Sequence, residues 1–432
     1  MAQAIGNHQK TTYLLRRTLS AIVVLFILGA AVRTAAPEFA ASKPVSQLSE
    51  EQLAPISGIV EKTICDGKIP GGVVLIGNRE KVIYRQAFGY RSLKPEKIPM
   101  TTDTIFDLAS LTKVVATATA VMQLVEKGKL RLDDPVARYW PSFKANGKGH
   151  ITVRELLTHY SGLRPDLNLK LRWSGYRTAM KKIIAERPLY PPGKIYTYSD
   201  INFDILGELV RRVSGKALDE YCSMHIFKPL GMKDTLFKPS AALHERIAPT
   251  QSNKTKMLWG YVHDPTCYNM GGVSGHAGLF STADDLSIFA QMLLNKGSMK
   301  GVKILQPQTV EQMTVPQPPL NKQKPRGLGW DIEAPLSSNR DELFPVGAYG
   351  HLGYTGTSIW IDPVTETYII VLTNRVYLEG KGDVTELRAL IKSAVAEALG
   401  PISYEQILVK RPALMPYYEY IKNTESGLQP KI

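Results

Sequence analysis

The chain has 432 residues, 44% of them hydrophobic and 21% charged, which excludes wholesale disorder, a collagen-like repeat and a polytopic membrane protein. Lys and Arg exceed Asp and Glu by 53 to 39, a net charge of +14. No dense basic run, zinc-finger spacing or helix-turn-helix signature accompanies that excess, so it reads as scattered surface charge facing anionic envelope polymer or lipid, not nucleic acid. The three cysteines, Cys65, Cys222 and Cys267, are far apart and lack Cys-x-x-Cys spacing, which indicates neither a zinc site nor a disulfide framework, although one bridge stays open.

Residues 1–18 carry Lys10, Arg16 and Arg17 without an acid, and Leu19–Val32 is an unbroken apolar and small-residue run. Its 14 residues reach about 21 Å as a helix, short of the ~30 Å hydrocarbon core, so a secretory signal is favoured over a permanent span. Gly29-Ala30-Ala31 offers a cleavage site before Val32, and an uncleaved membrane anchor is the alternative. Segment 1–31 is therefore the signal or anchor, 32–47 an Ala/Pro/Ser-rich linker, 48–400 the folded domain and 401–432 a C-terminal extension. The expected location is exported, periplasmic or extracellular, with residues 19–32 as the route to any membrane attachment.

Leu48–Cys65 reads as a helix closed by Gly67, and Gly72–Gly77 with Lys81–Phe88 as a hairpin about Asn78-Arg79-Glu80. Leu108–Lys127, apolar on most faces and stopped by Gly128, reads as a buried helix. Helical patterns such as Val153–His159 and Phe203–Val213 dominate the middle, broken by Pro191-Pro192-Gly193 and the glycine-rich Gly271–Gly278. Strand patterns return at Gly327–Ile332, Ser358–Asp362 and Tyr368–Asn374, followed by a helix over Thr385–Leu399. Strands at both ends with helices between predict an α/β (α+β) fold whose antiparallel sheet is completed by both termini, flanked by helices and carrying a mostly helical inserted subdomain. Tyr417, Tyr418 and Tyr420 in the extension read as packing residues.

Ser110-Leu111-Thr112-Lys113 opens the buried helix. Positions i and i+3 share a helix face, so the Lys113 amine can sit beside the Ser110 hydroxyl, and burial would lower its proton affinity enough to make it a base. The helix N-terminus would add N–H groups near a developing oxyanion. Ser-x-x-Lys alone is a weak signal. Two more elements strengthen it: Tyr198-Ser199-Asp200 at a helix start, and Gly350-His351-Leu352-Gly353-Tyr354-Thr355-Gly356 before the strand Ser358–Ile361. Ser274 is a poor rival nucleophile, because His276 interrupts a Gly-x-Ser-x-Gly frame. No His-Glu-x-x-His spacing supports a metal at His263-Asp264 or His276. His159 reads as a structural hydrogen-bonding residue, and Gly271–Gly278 as a close-packed pocket wall.

With these elements, and with Phe106–Lys113, Leu130–Pro135, Ile151–Gly162, Pro229–Met232 and Gly278–Thr282, the sequence from about Ile69 to about Leu399 resembles the serine β-lactamase and penicillin-binding family, in its class-C-like, esterase-related branch. The resemblance implies a β-lactamase/transpeptidase-like fold, Ser110 as the acyl-accepting nucleophile, Lys113 as its base, and Tyr198 as the group that protonates the leaving group and activates the deacylating water. It implies an oxyanion hole from the N–H groups of Ser110 and Tyr354, and substrate contacts at Asp200, His351 and Gly353. His276 is a further candidate contact. No metal or cofactor is called for. Two departures stand out. Asp200 occupies a position where the family usually has Asn, and His351 one where true β-lactamases have Lys. The second replaces a permanent cation with a largely neutral group, which disfavours efficient β-lactam hydrolysis and favours esters or envelope amides. His263–Gly278 is similar to the sub-branch of muramyl-peptide amidases, which makes peptidoglycan fragments a candidate substrate. The expectation is a hydrolase forming a covalent adduct at Ser110; the rival is a penicillin-binding-like receptor or wall-binding scaffold that does not turn over.

Overall fold

The computed structural model describes residues 48–252, 256–321, 324–332, 347–377, 382–400 and 404–425. The signal or anchor and the linker, up to residue 47, lie outside the described residues. Among the described residues, no helix is long and apolar enough to cross a membrane.

Seven antiparallel strands form the central sheet: β1 (Gly71–Asn78), β2 (Val82–Ser92), β3 (Ile98–Pro99), β4 (Asp331–Ile332), β5 (Tyr349–Leu352), β6 (Ser358–Asp362) and β7 (Thr367–Thr373). Their spatial order is β4-β5-β6-β7-β1-β2-β3. The early and late strands meet where β1 pairs with β7, from Gly72 opposite Thr373 to Asn78 opposite Thr367. The sheet is thus completed by both ends of the domain. Period-two alternation divides its apolar residues between two cores. Val74, Ile76, Ile369 and Val371 face α1 (Pro55–Cys65) and the late helix Thr385–Leu399. Val73, Leu75, Ile370 and Leu372 join the larger core of the helical body. A sheet covered on both faces explains why β7 reads as a continuous apolar run.

Three elements differ from the sequence reading. α1 starts at Pro55, whose fixed φ and missing N–H suit a first helical position, with only a short turn at Glu51–Leu53 before it. The expected helix over 108–127 is a 3-10 turn at Ala109–Leu111, a π-helical turn at Lys113–Ala118 and the α-helix α2 (Thr119–Glu126). Threonine hydroxyls account for part of this: Thr119 Oγ1 donates to the Val114 carbonyl at 2.8 Å, and Thr117 Oγ1 leaves the helix for Gly275 O at 2.6 Å. The expected strand Gly327–Ile332 shrinks to Asp331–Ile332, because Gly329 adopts φ +91° and the Gly327 N–H turns back to Trp330 O.

Helices α3 (Val153–Leu157), α4 (Asp200–Ser214), α5 (Pro265–Asn269) and α6 (Ala283–Leu294) belong to the body between β3 and β4. α6 packs on β1 and β7, and α7 (Thr385–Leu399) on α1. In the extension, α8 (Tyr404–Lys410) and α9 (Met415–Glu425) are joined to the body: Ile407, Leu414 and Tyr418 bury with Val364, and the Arg411 guanidinium donates to Gly347 O and Thr314 O. Tyr417 is buried as well. All three cysteines are free thiols.

Candidate active site

Ser110 sits in the 3-10 turn that follows the two-residue strand Phe106–Asp107. The turn is tied from both sides. Asp107 Oδ1 accepts the Ala109 N–H at 2.9 Å and Oδ2 accepts the His263 N–H at 2.7 Å, while Thr355 and Thr357 hydroxyls donate to the carbonyls of Asp107 and Leu108. These bonds hold Ala109 at φ +47°, a conformation unfavourable for a residue with a Cβ, immediately before Ser110.

Lys113 follows three positions on, fully buried, and its Nζ lies 2.9 Å from Ser110 Oγ. Nζ also donates to His276 O at 3.3 Å and forms an ion pair with Asp200 Oδ1 at 2.7 Å. The expectation of a lysine made basic by burial is corrected here. Burial does oppose the charge, but the Asp200 carboxylate and Tyr198 outweigh it and hold Lys113 above its ordinary range. In the resting site it is an ammonium ion, bonded to Ser110 Oγ and His276 O and paired with Asp200.

Tyr198 and Asp200 arrive at the start of α4, with Ser199 between them as the N-cap; Ser199 Oγ donates to Arg164 O at 2.6 Å. The Tyr198 ring stacks on His159 at 4.4 Å between centroids and lies 4.8 Å from Lys113 Nζ. His159 takes the Ser199 N–H on Nδ1 at 3.0 Å. Burial, then the charges of Arg326 and Lys113, keep its imidazole well below the ordinary range, so the ring is neutral with its proton on Nε2. A short capped helix places it: in α3 the Thr152 hydroxyl accepts the Glu155 N–H, and the Glu155 carboxylate accepts the Thr152 N–H.

His351 on β5 is also buried and lies 6.2 Å from the Tyr198 ring, centroid to centroid. Its Nδ1–H donates to Leu352 O at 2.9 Å. Burial, Arg326 and Lys113 hold it well below the usual histidine range, so it is a neutral ring that presents a bare Nε2. The β5–β6 turn follows. Gly353 closes it by donating to Thr357 O at 2.7 Å, and a Cβ on Gly353 would stand 2.0 Å from Thr357 Oγ1 and 2.5 Å from Leu108 O. Only glycine permits this approach to the nucleophile turn. Tyr354, 62% exposed, carries its ring against His263 at 5.5 Å and under the Arg375 guanidinium at 4.7 Å. Among the described residues, the Ser110 and Tyr354 N–H groups donate to no protein acceptor.

The reading of His276 as a substrate contact is overturned. It is 1% exposed, and both ring nitrogens end on carboxylates: Nδ1 on Asp204 Oδ1 and Nε2 on Asp264 Oδ1, each at 2.8 Å. Two acceptors require two donors, so the ring is imidazolium. Burial opposes this charge, but Asp204, Asp264 and Asp200 raise it well above the ordinary range. Asp264, the N-cap of α5, falls to about 2 despite its burial because of His276. The cluster lay partly open to sequence reasoning, since Asp200 and Asp204 are four apart on one helix face; its partner Asp264 came from a distant loop. Asp200, Asp264 and His276 bring one donor atom each within 4.8 Å. Positive charge is already supplied there by Lys113 and His276, and neither ring nitrogen keeps a lone pair for a metal. The glycine-rich segment expected to be a close-packed wall is so only in part: a Cβ at Gly275 would stand 1.8 Å from Phe203 O and one at Gly278 2.7 Å from Gly272 O, whereas one at Gly271 would meet nothing within 4 Å.

The family model described as Beta-lactamase matches residues 45–393. A Salmonella typhimurium protein with the provisional name D-alanyl-D-alanine carboxypeptidase is 33% identical over 401 residues, covering 84% of this chain and 90% of the relative. Among solved structures, EstCE1, a hydrolase with promiscuous acyltransferase activity, superposes with TM-score 0.65 at 24% identity, covering 81% of this chain and 98% of the other. A penicillin-binding protein homolog from Caulobacter crescentus gives 0.66 at 22%, covering 82% and 100%. With the sheet, the Ser110-Lys113 turn and the length of these matches together, the chain belongs to the beta-lactamase family of serine hydrolases.

Proposed function

We propose that the chain is an exported acyl hydrolase that cleaves an ester or amide through an acyl-enzyme at Ser110. The observation that carries this reading is Lys113 Nζ, set between Ser110 Oγ at 2.9 Å and Asp200 Oδ1 at 2.7 Å. An ammonium cannot accept the serine proton, so the reactive form is the one in which Lys113, held protonated by Asp200 at 2.7 Å, has released a proton to solvent. The neutral amine then takes the Ser110 proton while Oγ bonds to the acyl carbon. The Ser110 and Tyr354 N–H groups meet the oxyanion, and collapse breaks the bond to the leaving group, which takes its proton through Tyr198. Water enters by the reverse relay and frees the acid.

The relatives' names favour a D-alanyl peptide or related peptidoglycan fragment as the amide. The neutral His351 favours slow turnover of β-lactams. Export rests on Lys10, Arg16 and Arg17 ahead of the apolar run 19–32. The test is steady-state hydrolysis of a nitrophenyl ester and a D-alanyl-D-alanine peptide, with intact mass of the protein during turnover. Turnover with a Ser110 adduct, both lost in Ser110→Ala, is expected. A stoichiometric adduct with no turnover would transfer the reading to the receptor rival.

A further inference from the structure

The basic excess is not evenly spread. Residues 164–196 hold eight Lys/Arg and two Asp/Glu, a net +6 within a chain whose total is +14. Both acids face inward: Glu186 pairs with Arg164 at 3.7 Å, and Asp166 accepts from the Thr266 hydroxyl. The same stretch carries a third of the large apolar side chains exposed among the described residues, namely Leu171 (74%), Leu189 (57%), Tyr190 (41%), Ile195 (38%) and Leu169 (37%). Solvent-exposed Lys170, Arg172, Arg187 and Lys194 alternate with them.

Two loops form this patch side by side. Gly162 O accepts the N–H groups of both Leu189 and Tyr190, a Cβ on Gly162 would stand 2.0 Å from Tyr190 O, and Lys182 Nζ lies 5.9 Å from the Trp173 ring centroid. The first loop borders the site, since the Asp200 N–H donates to Pro165 O at 2.7 Å and Ser199 Oγ to Arg164 O, and the second runs directly into Tyr198. A soluble surface gains nothing from exposing leucines, and a site for a soluble anion would have no use for them. Apolar tips ringed by cations match an interface in which side chains enter the acyl region while Lys and Arg meet anionic headgroups.

We propose that the 164–196 surface docks the protein on an anionic lipid membrane, placing the mouth of the Ser110 site at the bilayer face. The surface is independent of residues 19–32, and the proposal stands whether or not that segment is removed.

The test is hydrogen exchange of the full chain with vesicles of phosphatidylcholine alone or with about a quarter phosphatidylglycerol. Exchange in 167–175 and 186–196 should slow by at least about threefold on the anionic vesicles only, and the protection should disappear in about 0.5 M NaCl. Leu171→Glu/Leu189→Glu, with Tm and ester hydrolysis unchanged, should lose it, while any insertion of 19–32 appears separately in its own peptides. Equal protection on both vesicle types, or protection confined to other segments, overturns the proposal. So does equal protection of wild type and the double variant, because an anionic polymer such as dextran sulfate would then be the better partner.

Discussion

Asp200 decides the state of Lys113, because a carboxylate 2.7 Å from a buried ammonium outweighs the desolvation that would neutralise it. The sign follows directly. Removing the anion lowers the lysine's proton affinity, so Asp200→Asn should move the rise of kcat/KM with pH toward acid by about 1–3 pH units, the usual effect of one close opposite charge. A nitrophenyl ester assayed from neutral to strongly alkaline pH checks it, and an unmoved profile would show that Lys113 does not govern the rate. Lys113→Met keeps the aliphatic stem and should lower acylation by at least about a hundredfold. Near-native acylation in that variant would assign the proton to another base. The carboxylate was visible in the sequence as a departure at position 200, but its effect on Lys113 depended on a distance that no spacing rule supplies.

At the scale of elements, the site is a meeting of the Ser110 turn, the start of α4 and the β5–β6 turn. Gly353 is the closest of these contacts. Gly353→Ala should reduce kcat by about a hundredfold with little change in far-UV circular dichroism, because its Cβ displaces Leu108 O and with it the Ser110 turn, and misplacement by an ångström has that scale of effect. Native activity would mean that the turn gives way freely. The capping box of α3 makes a milder case. Thr152→Ala removes a hydroxyl acceptor for the Glu155 N–H and should lower stability by about 1 kcal/mol, read as a fall in Tm. The elements themselves were mostly legible: the hairpin, the last two strands and the Thr385–Leu399 helix follow from periodicity, whereas the Gly327–Ile332 strand keeps only its last two residues. The 3-10 and π-helical path through Ser110 and Lys113 was not, because threonine side chains compete for its carbonyls only once Gly275 and Val114 are in place.

Across the whole molecule, the buried carboxylates behind the site make stability depend on pH. Burial raises Asp166 from an ordinary 3.8 to about 6. A raised carboxyl favours the protonated fold, so its ionisation destabilises above pH ~6 and that penalty disappears below about 4. Asp166→Asn should therefore raise Tm at pH 8, by an equivalent of about 1–3 kcal/mol, with the gap closing as pH falls toward 4. A gap constant with pH would assign the effect to packing. Asp264 works in the opposite sense: held near 2 by His276, it contributes stability that is present above its unfolded value and lost only as pH falls toward 2. What the sequence determined by itself was local and periodic: the sheet built from both ends, the helical body, and the spacing that puts Lys113 beside Ser110. Tertiary structure alone decided which charges meet. His276 became an imidazolium between Asp204 and Asp264, Lys113 became an ion pair, and the loops that carry the exposed leucines of 164–196 were set side by side. The physical reason is that hydrophobic periodicity is written in neighbours along the chain, whereas the energy of a charge depends on burial and on distances of a few ångströms between residues far apart in it.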